Sequence, residues 1–148
     1  MGYDIYKVKD KELYGAEIPF ELADLIEIKE KGIKVIISLT EEIDRIKDID
    51  YLKENFEHHR IFIEDYHTPE KKQVEEFLNI IERSRKEKKP VLVHCIAGCG
   101  RTGLMLAIAE KFIYGIKDGN TAIKKIREIR PCAIENSDQE SFVINFEM

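Results

Sequence analysis

The side chains best suited to chemistry in this 148-residue sequence lie in residues 91–103, which read VLVHCIAGCGRTG. Cys95 and Arg101 are six positions apart, with Gly98 and Gly100 between them. Glycines let successive backbone N–H groups turn toward one point, and the free N–H groups at a helix start favour an anion. The segment therefore predicts an anion-binding loop between a buried strand and a helix.

Cys95 and Arg101 also indicate what such a loop could do. A cysteine surrounded by N–H groups at a helix start should be a nucleophilic thiolate at neutral pH. Arg101 offers a planar fork for two phosphate oxygens. No Lys-Ser/Thr pair follows the glycines, so the loop is not a nucleotide P-loop. Attack of Cys95 on a phosphoryl group is the favoured chemistry, and a buried structural cysteine with an incidental arginine is the alternative.

The sequence HCIAGCGRTG resembles the His-Cys-x5-Arg-Ser/Thr signature of the protein tyrosine phosphatase superfamily. The resemblance implies that Cys95 forms a cysteinyl-phosphate intermediate and that Thr102 offers its hydroxyl to the departing sulfur. His94 is expected to brace the loop. Phosphate would be bound by the Arg101 side chain and by the backbone N–H groups of Ile96, Ala97, Gly98, Cys99, Gly100 and Arg101.

The same resemblance implies a general acid about thirty residues before the cysteine, where residues 61–69 read IFIEDYHTP. Asp65 is the expected acid for the leaving group and the base for the attacking water. Glu64 is its competitor, because adjacent side chains of a strand alternate and at most one would face the site. His67 is expected to be a solvated loop residue.

The C-terminal segment 130–142, RPCAIENSDQESF, resembles the closing segment of small dual-specificity phosphatases. The resemblance implies that Gln139 places the hydrolytic water and that Glu135 and Asn136 support the phosphate loop. The alternative is that these polar residues cap a helix.

Chain length and loop composition narrow the expected substrates. The resemblance implies a pocket shallow enough for phosphotyrosine and phosphoserine/threonine in proteins or peptides, because 148 residues leave little room for the extra segments of large tyrosine phosphatases. The GRTG ending resembles tyrosine-specific members. Phosphoinositide and RNA-end substrates rank second, because Ile96, Ala97 and Cys99 add no charge to the loop. Two more functions would use the same loop: a catalytically weak phosphate-binding module, and persulfide transfer on Cys95, which would not need Asp65.

The composition limits the partners that the chain can bind. Its net charge of −5 argues against nucleic acid and acidic membranes, which reward a basic surface. No apolar run approaches the roughly 18 residues of a membrane span. A cytoplasmic monomer is expected, with no cofactor or metal because thiolate chemistry needs none. The 36% content of charged residues is typical of proteins from hot-growing organisms.

The cysteines give no paired framework in the sequence. Cys95 and Cys99 are close, Cys132 is remote, and no Cys/His set has zinc-ligand spacing. Reduced thiols are therefore expected. A second hypothesis is an oxidative bridge between Cys95 and Cys99 that protects the nucleophile.

Strands alternating with helices predict one α/β domain over residues 1–148, with a largely parallel central sheet flanked by helices. The resemblance makes this a protein tyrosine phosphatase-like fold. Strands are predicted at 5–8, 13–16, 33–39, 60–63 and 91–94, and helices at 19–31, 69–88, 104–114 and 120–130. The first helix is expected to bury Phe20, Leu22, Ala23, Leu25 and Ile26. A capping box of Ser137 and Glu140 should open a last helix.

Overall fold

Five strands form the central sheet in a computed structural model that describes residues 2–148. Their order is β1-β2-β5-β3-β4. The first two strands pair antiparallel, and all other neighbours are parallel. The α/β prediction with a largely parallel sheet is thus confirmed. The strands are β1 (Ile5–Lys9), β2 (Leu13–Ala16), β3 (Val35–Ser38), β4 (Glu57–Arg60) and β5 (Val91–His94).

Six α-helices within residues 2–148 flank this sheet, together with a short 3-10 helix at Glu41–Arg45. None of the helices in this range is long and apolar enough to cross a bilayer. The α-helices are α1 (Leu22–Glu30), α2 (Ile49–Asn55), α3 (Lys71–Lys86), α4 (Gly100–Phe112), α5 (Gly119–Ile129) and α6 (Ser137–Asn145).

The central strands β3 and β5 are apolar up to their last residues, Ser38 and His94, because both faces of the sheet are covered. In β3, Val35 and Ile37 belong to the core that includes residues of α3, α4 and α5, whereas Ile36 belongs to the core that includes residues of α1 and α2. In β5, Val93 belongs to the first of these cores and Leu92 belongs to the second. Helix α4 lies inside the first core and is buried from Gly100 to Glu110, so its middle part, residues 104–109, is apolar all round.

The fourth strand and the cap of the last helix differ from the prediction. The fourth strand is Glu57–Arg60 and not 60–63, although the N–H groups of Ile61 and Ile63 still bond the carbonyls of Ser38 and Leu39 at 3.0 Å. This strand lies at the sheet edge and is half-buried, so its EHHR sequence has no apolar alternation. Helix α6 is capped by Asn136, whose side chain accepts from the Gln139 N–H, and not by Ser137.

The predicted apolar face of α1 is also wrong. The helix begins at Leu22, with Glu21 as its N-cap, and it buries Leu25 and Ile28. The side chains of Phe20, Leu22 and Ile26 are instead 58%, 39% and 38% exposed. At 100° per residue the five expected residues spread around the whole helix, whereas the face that packs inside is the i, i+3 pair of Leu25 and Ile28.

The parallel arrangement places the loops after β3 and β5 at the same edge of the sheet. Ser38, the last residue of β3, pairs with His94, the last residue of β5. Residues that follow these two strands therefore come together in space, although they are more than fifty positions apart in sequence.

Candidate active site

The loop between β5 and α4 carries the predicted nucleophile. Strand β5 ends at His94 and helix α4 begins at Gly100, so the connection comprises Cys95 to Cys99. The Cys95 side chain is buried and is a free cysteine. Arg101 and Thr102 lie in the first turn of α4 and are buried as well.

Five consecutive backbone carbonyls of this loop, from Cys95 to Cys99, contact hydrogen-bond donors that lie outside the loop. The His94 Nδ1 contacts the Cys95 oxygen at 2.9 Å, and the Ile18 N–H donates to the Ile96 oxygen at 2.9 Å. The Ala97 oxygen accepts from Arg130 at 2.8 Å, and the Gly98 oxygen accepts from the Tyr6 hydroxyl at 2.7 Å. The Cys99 oxygen accepts from the N–H groups of Gly103 and Ile134 at 2.8 and 3.3 Å.

The amides of the loop have the opposite arrangement. In the described residues, the N–H groups from Ile96 to Arg101 have no backbone or side-chain acceptor. A peptide plane points its N–H opposite to its C=O, so carbonyls held outward leave their partner amides facing inward. The loop is thus a ring of inward-facing donors at a helix N-terminus, an arrangement suited to binding a phosphoryl group.

Gly98 makes this loop conformation possible. Its φ is +72°, and a Cβ placed there would lie 2.6 Å from the backbone carbon of Ala16 on β2. Any other residue would be strained by its φ and would collide with the neighbouring strand.

His94 connects the loop to β3 and β4 through hydrogen bonds. Its Nδ1 can only donate to the Cys95 carbonyl, so its Nε2 accepts from the Ser38 hydroxyl at 2.6 Å. Ser38 in turn accepts from the His58 Nε2 at 2.8 Å. Burial lowers the pKa of both histidines to about 4, so both rings are neutral at pH 7.

Arg101 faces the loop from the first turn of α4. Its Nη1 donates to the Ile63 carbonyl at 2.8 Å, which fixes the guanidinium plane. Its Nε has no partner in the described residues, and neither has the buried hydroxyl of Thr102. Buried donors without a partner are costly unless a ligand or water satisfies them, so both groups are available to an anion in the loop.

Asp65 lies beside this guanidinium, with 3.5 Å between its Oδ1 and the Arg101 Nη2. The side chain is 53% exposed and also accepts from the Tyr66 N–H. Glu64 also lines the cleft, but its carboxylate is 80% exposed and lies 3.7 Å from the His67 ring. These two residues follow β4 in an irregular turn and not in a strand.

The C-terminal segment holds this turn in place. The Asn136 amide donates to the Tyr66 carbonyl at 3.0 Å, where Tyr66 has a φ of +65°. The buried Gln139 accepts from the Glu135 N–H at 2.8 Å and contacts the His67 carbonyl at 3.4 Å. Gln139 therefore connects the Asp65 turn to α6, and its role in placing water stays a prediction.

A cleft of about 330 Å³ opens over Arg101 between these elements. Four carboxylates contribute to its wall, two of them from the 3-10 helix. Thr40 donates to one of these, Glu42, and this bond holds the pKa of the carboxyl below its ordinary value. The cleft is lined by Thr40, Glu41, Glu42, Phe62, Ile63, Glu64, Asp65, Ile96 and Arg101.

Cys99 is not a free thiol, because it forms a disulfide with Cys132. The expectation of three reduced cysteines is wrong, and so is the hypothesis of a Cys95–Cys99 bridge. The Cα atoms of Cys99 and Cys132 are 5.2 Å apart although 33 positions separate them. The sequence did not indicate this pair, because Cys132 comes back to the loop only after the chain has passed through α4 and α5.

Four residues that contact this loop or its brace were not singled out by the sequence. Ser38 and His58 extend the His94 chain, and Tyr6 and Arg130 bind loop carbonyls. Arg130 opens the C-terminal segment that resembled phosphatases, which was the one signal pointing to it. Tyr6 looks like an ordinary strand residue. Among residues 2–148, no cluster of His, Cys, Asp or Glu could hold a metal ion.

A cysteine above a ring of free amides, with an arginine at the helix start and an aspartate across the cleft, defines the class of cysteine-dependent phosphatases. The family model described as "Polymorphic toxin system, DSP-PTPase phosphatase" matches residues 15–112. The chain therefore belongs to the dual-specificity group of the protein tyrosine phosphatase superfamily, as the loop motif predicted.

Two uncharacterized proteins of Methanocaldococcus jannaschii, MJ0215 and MJECL20, are 38% and 34% identical over 85 residues. These residues are 57% of this chain and 51% and 55% of the relatives, so the chain matches about half of their length. The mouse dual specificity protein phosphatase CDC14B is 30% identical over 78% of the chain and 23% of its own length.

Solved structures share the fold. Tk-PTP in its active form has a TM-score of 0.79 at 26% identity, over 88% of this chain and 87% of the other. PTPMT1 in complex with PI(5)P also has a TM-score of 0.79, but at 18% identity, over 95% and 92% of the two chains. The second likeness shows the fold alone.

Proposed function

We propose that this phosphatase hydrolyses phosphotyrosine and phosphoserine/threonine monoesters of proteins through a cysteinyl-phosphate intermediate on Cys95. The observation that carries the proposal is the ring of unbonded amides between Cys95 and Arg101, with five carbonyls held outward by other donors. Such a ring with the Arg101 guanidinium would bind three phosphoryl oxygens and stabilise the charge that develops on them during transfer.

In the first step, the Cys95 thiolate attacks phosphorus and a bond forms between sulfur and phosphorus. The bond from phosphorus to the ester oxygen breaks, and Asp65 gives its proton to that oxygen. Asp65 lies 3.5 Å from the Arg101 guanidinium, at the mouth of the ring, where the leaving oxygen would be.

In the second step, water attacks the phosphocysteine and Asp65 takes the water proton. The bond between sulfur and phosphorus breaks, phosphate leaves, and the thiolate is restored. The Thr102 hydroxyl, buried and without a partner in the described residues, can donate to the departing sulfur. These roles follow the family's signature residue by residue.

The cleft wall favours phosphoproteins over phosphoinositides, despite the likeness to PTPMT1. A phosphoinositide with several phosphates would bring further negative charge against Glu41, Glu42 and Glu64. The variable loop positions add no cation to offset this repulsion. A single phosphoryl group on a peptide needs only Arg101 and the amides.

The test is hydrolysis of para-nitrophenyl phosphate with a chelator present, by the wild type and by Cys95→Ser. The proposal requires turnover that survives the chelator and disappears in the variant. Vanadate binding without turnover by the wild type would instead identify a phosphate-binding module. Phosphopeptides and a phosphoinositide, compared at equal concentration, then rank the substrates, and faster lipid turnover would overturn the assignment to proteins.

Persulfide transfer is distinguished by a second variant. Loss of activity on phenyl phosphate in Asp65→Asn is expected for ester hydrolysis, because the leaving oxygen of this ester must be protonated. Sulfur transfer from a persulfide on Cys95 has no such step. Cyanide-dependent thiocyanate formation that Asp65→Asn leaves intact would replace the phosphatase mechanism.

A further inference from the structure

Two side chains far from Cys95 in sequence bind adjacent carbonyls of the phosphate loop. The Tyr6 hydroxyl donates to the Gly98 oxygen at 2.7 Å, and the Arg130 Nη2 donates to the Ala97 oxygen at 2.8 Å. Both contacts lie on the outer side of the ring, away from the cleft. Neither residue belongs to the motif that binds phosphate in this family.

These two bonds control the direction of two amides. The carbonyl of Ala97 and the N–H of Gly98 belong to one planar peptide, and so do the carbonyl of Gly98 and the N–H of Cys99. A carbonyl held outward therefore holds the next N–H inward. The peptides on either side of Gly98 are the easiest in the loop to rotate, because glycine has the widest choice of φ and ψ.

The pairing of β1 with β2 places Tyr6 for this contact. It lies on β1 opposite Gly15 of β2, and its ring crosses that position to reach the loop after β5. A Cβ on Gly15 would come within 2.5 Å of the Tyr6 ring, so the absence of a side chain there is what lets the tyrosine through. Burial and the nearby Cys95 raise the pKa of Tyr6, which keeps its hydroxyl protonated and able to donate.

Arg130 is held from two sides. Its Nη1 binds Asp4 at 2.9 Å, and its guanidinium lies 5.1 Å from the centre of the Tyr6 ring. Two nitrogens of one planar fork thus join the residue before β1 to the phosphate loop. The Arg130 side chain is 21% exposed but Asp4 is 67% exposed, so this ion pair orients the guanidinium more than it stabilises the fold.

We infer that Tyr6 and Arg130 are positioning residues that keep the amides of Gly98 and Cys99 directed at the phosphoryl group. Without them, the peptides around Gly98 can rotate and present a carbonyl oxygen to the anion. Anion affinity and the reactivity of the Cys95 thiolate then fall together, since the same amides stabilise both charges. The inference rests on the proposed function, because it assigns these residues to its phosphate site.

The first experiment compares Tyr6→Phe with Tyr114→Phe as a control. The Tyr114 hydroxyl donates to the Glu12 carboxylate at 2.9 Å, beside the first residue of β5 and thus at the sheet edge opposite the loop. Inhibition by vanadate should weaken about tenfold in Tyr6→Phe and stay within about twofold of the wild type in Tyr114→Phe. Circular dichroism measures the thermal stability that each variant loses with its hydrogen bond.

The second readout is alkylation of Cys95 by iodoacetate across pH without reductant. Cys95 is the free cysteine of the described chain, so the reaction reports on this thiol alone. The pH at which alkylation becomes half-maximal should rise in Tyr6→Phe and in Arg130→Lys, which keeps the charge but lacks the fork. If Tyr6→Phe does not fold, the alkylation profile of Arg130→Lys tests the positioning role by itself.

Unchanged vanadate inhibition and an unchanged alkylation profile in a folded variant would reduce Tyr6 and Arg130 to ordinary stabilising contacts. Failure of the proposed function gives a different result. If the wild type binds vanadate but hydrolyses no ester, the assignment as a phosphatase is wrong. The effect of each variant on vanadate binding would still test the positioning role.

Discussion

Asp65 and Glu64 are adjacent carboxylates on one turn, but their surroundings differ. Asp65 lies 3.5 Å from Arg101, whereas the Glu64 carboxylate is 80% exposed and lies 3.7 Å from His67. A group that protonates the leaving oxygen must reach the phosphoryl site, which Arg101 marks. The geometry thus favours Asp65 as the acid, in agreement with the family motif.

We expect Asp65→Asn to lower kcat for phenyl phosphate by about 10²- to 10³-fold, and Glu64→Gln, its matched control, by less than about threefold. The loss in Asp65→Asn should shrink for para-nitrophenyl phosphate, because a more acidic leaving group needs less protonation. Steady-state rates on a series of aryl phosphates test this. A larger loss in Glu64→Gln, or a loss independent of the leaving group, would contradict the assignment.

The turn that carries Asp65 is held by an element on the other side of the cleft. Asn136 caps α6 with its Oδ1 and binds the Tyr66 carbonyl with its Nδ2. Asn136→Asp should keep the cap, lose the donor to Tyr66 and lower kcat severalfold at nearly unchanged stability. Asn136→Ala should also lose about 1 kcal/mol of stability with the cap. Urea unfolding and rates on phenyl phosphate separate the effects, and equal stabilities of the two variants would show that the cap contributes nothing.

The disulfide joins the phosphate loop to the segment after α5. Closing a loop of 33 residues should stabilise the fold by about 3–4 kcal/mol through the entropy of the unfolded chain. We expect Cys132→Ser to unfold at lower urea, and a phosphine reductant to lower the wild-type midpoint while leaving that of the variant unchanged. Equal midpoints for the wild type and variant without reductant would show that this bond contributes no stability.

A disulfide is uncommon in a reducing compartment, except in intracellular proteins of hyperthermophiles. The bond was invisible in the sequence, because an odd number of cysteines, two of them near each other, suggested other pairings.

At the scale of the whole molecule, the sequence predicted what depends on local pattern. The buried strand 91–94, the glycine loop and the amphipathic helix α3 each have a periodicity or composition that only one environment satisfies. The edge strand β4 and the face of α1 were misjudged, because half-buried elements carry weaker patterns. The contacts of Tyr6, Arg130 and Cys132 depend on pairings across 33 to 92 positions, which no local pattern records.

We expect the hydrogen-bonded chain from His94 through Ser38 to His58 to make global stability depend on pH. Burial lowers the pKa of His94 from 6.5 to about 4, so between these values the unfolded state binds more protons than the folded state. Stability should therefore fall as the pH drops from 7 to 5, by about 2 kcal/mol for His94 and by less for the more exposed His58. Carboxylates remain largely ionised in this range, so the slope reports mainly on histidines.

Urea midpoints at pH 7, 6 and 5 measure this slope directly. His58→Gln should flatten it in part and His94→Asn should flatten it more, because each removes one buried group that must stay neutral in the folded state. Ser38→Ala is the matched control, since it deletes the hydroxyl between the rings and keeps both histidines. Its stability should be lower at every pH, with the slope retained. A wild type as stable at pH 5 as at pH 7 would mean that these rings take up protons in the folded state. The description of His94 and His58 as neutral, hydrogen-bonded rings behind Cys95 would then be wrong.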